Sequence, residues 1–207
     1  MEKRFATPVE LQFLKTVNDL EKAATIDKLT GLFNANYWRE QLPKLEKSNH
    51  LAFIIISLDL DNLKIVNDKN GHQVGNQLLQ NTTSVIQNSF RPEDIIARVG
   101  GDEFVVILPY DPEKLQNEYQ KHQSTDGQPP TTMQEYIDNL VANRLIDNIT
   151  SFNTIHPDSI PVSLSFGSQL SLPDKDKTPP HNLTGTFNQA DQKMYEMKQQ
   201  HHIQNIP

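Results

Sequence analysis

Hydrophobic positions recur along the chain with the periods of strands and helices. Residues 51–58 are an almost unbroken run of aliphatic and aromatic side chains, which predicts a central strand covered on both faces. Two shorter runs flank the polar sequence 100–103, and this pattern predicts a β-hairpin. The predicted strands are 51–58, 95–99, 104–108 and 162–170, and the predicted helices are 8–24, 35–46, 73–90, 133–149 and 187–200.

This order of elements predicts an α+β domain, in which helices pack on one central sheet. The polar stretch 110–132 contains Asp126-Gly127 and Pro129-Pro130, so we interpret it as a partly disordered surface insertion. The first helix, 8–24, is amphipathic and leaves two alternatives open. It packs on its own domain, or it is a linker that pairs with a second copy of the chain.

Composition narrows the class of protein. The 207 residues carry a net charge of −7, which argues against a nucleic-acid-binding surface or an anionic membrane surface. The chain contains no cysteine, so disulfides and thiolate chemistry are excluded. The run 51–58 is too short to cross a bilayer, and the charged N-terminus does not look like a signal peptide. We therefore expect a cytoplasmic domain.

Two groups of carboxylates are candidates for chemistry. Asp59 and Asp61 follow the predicted central strand, and Asp102 and Glu103 occupy the predicted hairpin tip. A strand end and a hairpin tip of one sheet can lie side by side, and converging carboxylates suit Mg²⁺ in a two-metal phosphoryl-transfer site. The spacing alone leaves the simpler alternative of a solvated acidic turn. Glycines at 100 and 101 would allow a tight turn and close approach of a triphosphate.

Four ordered motifs decide between these alternatives. The sequence Arg98-Val-Gly-Gly-Asp-Glu-Phe104 resembles the signature loop of the GGDEF family, the diguanylate cyclases. The stretches 27–34 and 58–75 resemble two further motifs of this family. Ala190, Asp191, Tyr195 and Lys198 resemble its closing helix.

This resemblance implies a fold and a reaction. The fold would be an α/β sandwich with a mostly antiparallel sheet and a βααββαβ core, related to the palm of polymerases and to adenylyl cyclases. The cyclase domain would span 27–203, and residues 1–26 would form the linker or dimerisation helix. The reaction would condense two GTP into cyclic di-GMP with release of pyrophosphate, between two facing copies in a homodimer.

The resemblance also implies roles for single residues. Two Mg²⁺ ions, with Mn²⁺ as an alternative, would bind Asp59, the Leu60 carbonyl, Asp102 and Glu103. Lys64 would act with Asp102 and Glu103 in catalysis. The implied nucleotide-binding residues are Asn62, Leu63, Lys64 and Lys198 for the phosphates, and Asn67, Asn76 and Leu79 for the base. Arg91 and Asp94 resemble the family's inhibitory product site.

Three departures from the family pattern modify this expectation. Asn76 replaces an aspartate, His201-His202 replaces a Gly-Arg pair, and Ala35-Asn36 replaces the arginines of the first motif. Because an amide matches adenine better than a carboxylate does, Asn76 predicts relaxed base choice and some cyclic GMP–AMP. The departures also leave an alternative function, a catalytically silent domain that binds GTP or a cyclic dinucleotide and signals through protein contacts.

Overall fold

The computed structural model describes residues 7–123, 129–174 and 176–204. Within these ranges the helices and strands follow one another in a single mixed order. The helices are α1 (Pro8–Thr25), α2 (Ala35–Leu45), α3 (Leu63–Asn70), α4 (His72–Ser89), α5 (Pro112–Gln123), α6 (Met133–Ile155) and α7 (Leu183–Gln204). The strands are β1 (Phe33–Asn34), β2 (Ala52–Leu60), β3 (Ile95–Arg98), β4 (Glu103–Tyr110) and β5 (Leu164–Ser171).

The five strands form one sheet in the order β1-β3-β4-β2-β5. Only the short β1–β3 pair is parallel, so the predicted mostly antiparallel α+β fold is confirmed. Strand β2 lies between β4 and β5, and all nine of its residues are buried. This central position explains the nearly continuous apolar run in the sequence, because both faces of β2 are covered.

Alternate residues of β2 serve two different cores. Ile54, Ile56 and Leu58 face the larger core, which they share with α4 and α6. Phe53 and Ile55 face a smaller core on the opposite side of the sheet, which contains Trp38 of α2 and Leu183 of α7, with Phe187 packed against it. The period-two alternation of a strand thus places helices on both faces, and the sheet forms the middle layer.

Helix α7 approaches the sheet closely at Gly167 of β5. A Cβ atom at this position would lie 2.4 Å from the Ala190 carbonyl oxygen and 2.5 Å from the Met194 nitrogen. Both atoms belong to the helix backbone, which cannot move aside locally. Glycine therefore sets the distance between α7 and the sheet at this point.

Several predicted boundaries were wrong. Residues 112–123 form α5, although the sequence predicted an irregular insertion there. The Asp111 carboxylate accepts hydrogen bonds from the Glu113 and Lys114 amides, and Leu115 is fully buried, so a cap and one apolar anchor define the helix. Of the predicted disordered insertion, residues 124–128 lie outside the described ranges.

Other elements are longer than periodicity predicted, or were missed. Helix α3 carries no long apolar stripe and was not predicted from spacing, while β1 has only two residues. Helices α6 and α7 both extend beyond their predicted ends. Pro43 lies inside α2, which ends two residues later.

Helix α1 begins with a capping box, in which Thr7 and Glu10 satisfy each other's backbone amides. Near its end, the Ala24 carbonyl accepts a hydrogen bond from the Asn34 side chain. Leu20 is 65% exposed. The linker role of this helix remains a prediction. Among the described helices, none has the length and apolar character that a bilayer crossing requires.

Candidate functional site at the end of strand β2

The end of β2 and the tip of the β3–β4 hairpin lie side by side, as the sequence predicted. Asp59 is the register partner of Glu103, the first residue of β4. The Leu60 amide donates a 2.9 Å hydrogen bond to the Asp102 carbonyl oxygen. Three of the predicted carboxylates, those of Asp59, Asp102 and Glu103, thus lie on adjacent backbone segments.

Asp59 is the buried carboxylate of this site, with only 4% of the residue exposed. Its Oδ1 lies 2.6 Å from the Nζ of Lys198, which reaches the strand from α7. The contact is an ion pair in which the Lys198 ammonium lies within hydrogen-bonding distance of this oxygen. The sequence assigned Lys198 to phosphate, whereas here it neutralises Asp59.

Burial raises the pKa of the Asp59 carboxyl above its ordinary value of 3.8, and the charges of Asp102 and Asp61 raise it further. Lys198 opposes this shift without cancelling it. Partial burial lowers the pKa of Lys198, but its interactions with Asp59, Asp102 and Asp61 outweigh this effect and raise it. The site therefore holds an ionised lysine beside a carboxylate that is costly to ionise.

Glu103 is exposed and folds back over the hairpin tip. A Cβ atom at Gly100 would lie 2.1 Å from its Oε2, so glycine leaves room for this carboxylate. At Gly101 the corresponding space is open. Neither glycine has a positive φ, so the turn does not use a backbone conformation reserved for glycine. A side chain at position 100 would displace the flexible end of Glu103.

Arg98 supports the hairpin tip from the side. Its Nε and Nη2 donate to the Gly101 carbonyl oxygen, at 3.2 and 2.7 Å. Its Nη1 donates to Asp27 Oδ1 at 3.1 Å, and Thr30 also donates to this oxygen. Partial burial of Asp27 raises its pKa, but the bonds from Thr30 and Arg98 outweigh this effect and lower it. The motif at 27–34 therefore braces the signature loop, a role that the sequence did not reveal.

Asp61 takes its side-chain partners from the β5 region and α7. Its side chain accepts hydrogen bonds from Ser163 Oγ at 2.7 Å and Ser165 Oγ at 2.8 Å, and it contacts His201 Nδ1 at 3.1 Å. We call Asp61, Ser163, Ser165 and His201 the Asp61 network. The sequence grouped Asp61 with Asp59, and nothing in the local spacing indicated these distant partners.

The predicted phosphate-binding residues lie directly after this strand end. Asn62 has a left-handed backbone, with φ of 64°, and caps the start of α3. Leu63 is buried, and Lys64 is exposed on the first turn of α3. The backbone amides that begin a helix are unpaired and suit an anion. Lys64, Lys198 and these amides thus lie around one end of β2.

The predicted base-reading residues lie on the α3–α4 hairpin. A Cβ atom at Gly75 would lie 1.9 Å from Asn67 Oδ1, so the Asn67 amide rests against the residue that precedes Asn76. Asn76 is exposed, whereas Leu79 is buried in the larger core. The fold therefore brings positions 67 and 76 together, while Leu79 serves mainly packing.

Arg91 and Asp94, the predicted product site, lie in the segment between α4 and β3. The Arg91 amide donates to Asp94 Oδ2 at 2.7 Å, and its guanidinium lies 5.3 Å from the centre of the Tyr110 ring. Burial, opposed by Arg91, raises the pKa of the Asp94 carboxyl. Both residues line a cavity of about 360 Å³, together with Phe33, Phe90 and Ile96.

The residues at the end of β2 fit a hard divalent cation. Asp59 offers a buried carboxylate at the strand end, and Glu103 offers an exposed carboxylate on the neighbouring strand. Among the described residues, however, no three carboxylate or imidazole side chains already surround one point. The predicted ligands are therefore close in the backbone but not yet converged in their side chains.

Fold and site together define a class of protein, an α+β domain with an acidic site where its central strand meets a hairpin tip. The sequence matches the family described as "Diguanylate cyclase, GGDEF domain" over residues 24–204. The chain therefore belongs to the GGDEF family, which links it to cyclic di-GMP signalling.

Individual relatives agree with this membership. The chain is similar to the probable diguanylate cyclase DgcT of Escherichia coli (strain K12), at 41% identity over 83 residues, 40% of this chain and 18% of the relative. It is also similar to the cyclic di-GMP phosphodiesterase PdeB of Shewanella oneidensis, at 36% identity over 91 residues, 44% of this chain and 10% of that protein. The chain thus spans less than a fifth of the length of these two relatives.

A solved structure shows the same fold. The coiled coil and GGDEF domain of DgcB from Caulobacter crescentus, in complex with c-di-GMP, superposes with a TM-score of 0.65 at 21% identity. The match covers 92% of this chain and 90% of that one.

The raised pKa of Asp59 predicts a pH-dependent difference in stability. Because the folded state raises this pKa above 3.8, ionised Asp59 destabilises the fold at neutral pH. In metal-free buffer, Asp59→Asn should therefore melt at a higher temperature than the native protein at pH 7. As the pH falls through the folded-state pKa of Asp59, the melting temperature of the native protein should rise toward that of Asp59→Asn. Below the pKa of the unfolded state, the two melting temperatures should approach no further. Thermal unfolding of both proteins across this range measures the effect.

The exposed variant Asp158→Asn serves as the control for loss of one negative charge. A native protein that is the more stable of the pair at pH 7 would show that Lys198 outweighs burial at Asp59.

Proposed function

We propose that this domain is a diguanylate cyclase that condenses two GTP into cyclic di-GMP. The observation that carries the proposal is the meeting of Asp59, Glu103 and Lys198 beside the first turn of α3. Carboxylates for a cation, a lysine for phosphate and helix amides for an anion then flank one position. A triphosphate can occupy that position with its α-phosphorus near the hairpin tip.

In the proposed reaction, two domains face each other, each with one GTP. The 3′-oxygen of one GTP attacks the α-phosphorus of the other, forming a phosphodiester and breaking the α–β phosphoanhydride bond. Pyrophosphate leaves, and the 3′-hydroxyl proton passes to a carboxylate of the hairpin tip, for which exposed Glu103 is best placed. A second identical step closes the ring, so a homodimer is required for turnover. Orientation and charge stabilisation supply most of the catalysis.

Asp59, the Leu60 carbonyl, Asp102 and Glu103 would hold Mg²⁺, with Mn²⁺ as an alternative, in this proposal. When bound, the cation neutralises the triphosphate and polarises its phosphoryl oxygens. Lys198 has two partners in this arrangement. It neutralises Asp59 and is within reach of the same strand end to meet phosphate.

The proposal predicts loss of turnover in Glu103→Gln. The amide keeps the size of the side chain but can neither take a proton nor bind a cation strongly, so kcat should fall by about 10²-fold or more. Incubation with GTP and Mg²⁺, with products resolved by mass, measures the change. Glu113→Gln, on exposed α5, should retain native activity. Cyclic di-GMP formation at a native rate by Glu103→Gln would exclude the proposed role.

A second candidate is a silent domain that binds GTP or cyclic di-GMP and signals through protein contacts. The Lys198–Asp59 ion pair favours it, because the buried carboxylate is already neutralised. The same incubation separates the two candidates. A native protein that binds GTP but forms no product in any nucleotide mixture would be the silent domain.

Base choice is the second part of the proposal. Guanine presents two adjacent donors, N1–H and the N2 amino group, which a carboxylate accepts together. Asn76 supplies one acceptor and one donor, a pattern that matches adenine at N1 and N6. Asn67 lies alongside and can turn its amide to suit either base. We therefore propose that the domain uses GTP and also accepts ATP, forming some cyclic GMP–AMP from a mixture.

Asn76→Asp should sharpen selection for GTP. A charged acceptor for a buried donor is worth about 1–3 kcal/mol, so GTP preference in direct competition should rise by about ten-fold. The measurement is the ratio of cyclic di-GMP to mixed product formed from equimolar GTP and ATP. Asn88→Asp adds the same charge to an exposed site on α4 and should leave this ratio unchanged. Strict GTP specificity in the native protein, unaltered by Asn76→Asp, would mean that position 76 does not read the base.

The third part concerns product inhibition at Arg91 and Asp94. The Arg91 guanidinium is held beside Tyr110, with Nη2 3.3 Å from the phenol oxygen, at the mouth of a cavity with apolar walls. A guanidinium suits a phosphodiester, and apolar walls suit the face of a purine. We therefore propose this cavity as the binding site for cyclic di-GMP as an inhibitor.

Arg91→Ala should weaken inhibition by added cyclic di-GMP, because a charge-assisted hydrogen bond is lost. The inhibitory concentration should rise by about ten-fold or more, without a change in kcat. Initial rates at increasing product concentration measure it. Arg39→Ala, which removes an exposed arginine from α2, should behave as native. Equal inhibition of all three proteins would place the inhibitory site elsewhere.

A further inference from the structure

His201 lies near the end of α7 and contacts the Asp61 network through a single ring nitrogen. Its Nδ1 lies 3.1 Å from Asp61 Oδ2 and 3.1 Å from Ser165 Oγ. Ser165 itself donates to Asp61 Oδ1. In a Ser-His-Asp catalytic triad, one ring nitrogen contacts the serine and the other contacts the aspartate. Here Ser165 and Asp61 both contact Nδ1, so this group is not a triad. It is a hydrogen-bonded joint between α7, β5 and the end of β2.

Asp61 is held on all sides by this joint. Its side chain is 8% exposed, and its amide donates to the Ser163 carbonyl oxygen at 3.0 Å. Two serine hydroxyls donate to its carboxylate, and the imidazole Nδ1–H can donate as well. Three side-chain donors therefore occupy most of the acceptor sites of the Asp61 carboxylate. This arrangement suits a residue that fixes the backbone around it.

The backbone changes conformation directly after Asp61. Asn62 adopts a left-handed conformation, which asparagine tolerates better than most residues with a side chain. The Asn62 side chain makes no capping hydrogen bond to α3. The conformation of this turn decides where the first amides of α3 point.

The same helix supplies Lys198 and His201, three residues apart and so on one face. Lys198 meets Asp59, and His201 meets Asp61 two residues further along the chain. In this chain α7 is helical through Gln204, which brings the imidazole to the turn.

We propose that His201 is a positioning residue, which holds the Asp61–Asn62 turn so that the first amides of α3 are in place for the triphosphate of the nucleotide. This inference rests on the proposed function for its ligand. Loss of the imidazole should loosen the turn and weaken nucleotide binding. The chemical step itself uses other groups, so kcat should change little.

The test compares His201→Ala, His201→Asn and the exposed neighbour Gln199→Ala with the native protein. Asparagine can place its Nδ2 donor near the position of Nδ1, so it should restore most of the contact. Amide hydrogen exchange of Asp61 and Val66, without nucleotide, reports the order of the turn, because these amides donate to the Ser163 and Asn62 carbonyl oxygens. Calorimetry with Mg²⁺ and the α,β-methylene analogue of GTP reports nucleotide affinity, and steady-state rates separate KM from kcat.

His201→Ala should exchange the Asp61 and Val66 amides faster and bind the analogue about three- to ten-fold more weakly, as expected for loss of one hydrogen bond. KM should rise by a similar factor with kcat within about two-fold of native. His201→Asn and Gln199→Ala should resemble the native protein in every measurement.

Unchanged exchange of the Asp61 and Val66 amides in His201→Ala would overturn the inference. Equal loss of affinity in His201→Ala and His201→Asn would also overturn it, because the imidazole would then act on the ligand itself. If the native protein binds no analogue, but amide exchange in His201→Ala increases as expected, the proposed function is wrong. The structural role of His201 at the turn would then still hold.

Discussion

The Asp59 carboxylate lies at the end of a strand that is buried from one end to the other, and an isolated charge cannot remain there without a partner. Lys198 supplies that partner within the described residues. Because the lysine comes from α7, the helix must lie close against the sheet along its whole length. Gly167 permits the approach, and the smaller core beneath Leu183 anchors the far end of the helix. Much of the packing around β5 and α7 can thus be understood from the requirement of one buried charge.

Contacts between β2 and α7 change gradually from apolar to polar. At the start of the strand, Phe53 and Ile55 lie in the smaller core. Further along the same face, Ser57 donates to Asp191 at 2.9 Å, Asp59 meets Lys198, and Asp61 meets His201. The alternation of the strand places these residues on one side, and the helical repeat places their partners on one side of α7. The apolar end fixes the helix, and the polar end holds the groups that surround the proposed site.

Sequence patterns were sufficient wherever a local rule decides structure. The apolar run of β2, the hairpin around Gly100 and the amphipathic helix α4 all follow from the period of hydrophobic residues. Sequence patterns fail where a contact between distant parts of the chain determines the local structure. Helix α5 depends on one buried leucine, and the orientation of Asp61 depends on two serines of the β5 region and a histidine of α7. The family motifs indicated that Asp59 and Glu103 are neighbours, but no motif indicated that a lysine neutralises Asp59.

The separation of these partners along the chain has a consequence for synthesis. Asp61 and His201 are 140 residues apart, and Ser57 and Asp191 are 134 residues apart. Strand β2 also pairs with β5, so the central strand has only one of its two neighbours until most of the domain has been made. Contacts between distant parts of a chain form slowly, because loop closure must precede them. A growing chain therefore contains Asp59 long before Lys198, which neutralises it in the folded domain. The site can be completed only when α7 packs against the sheet.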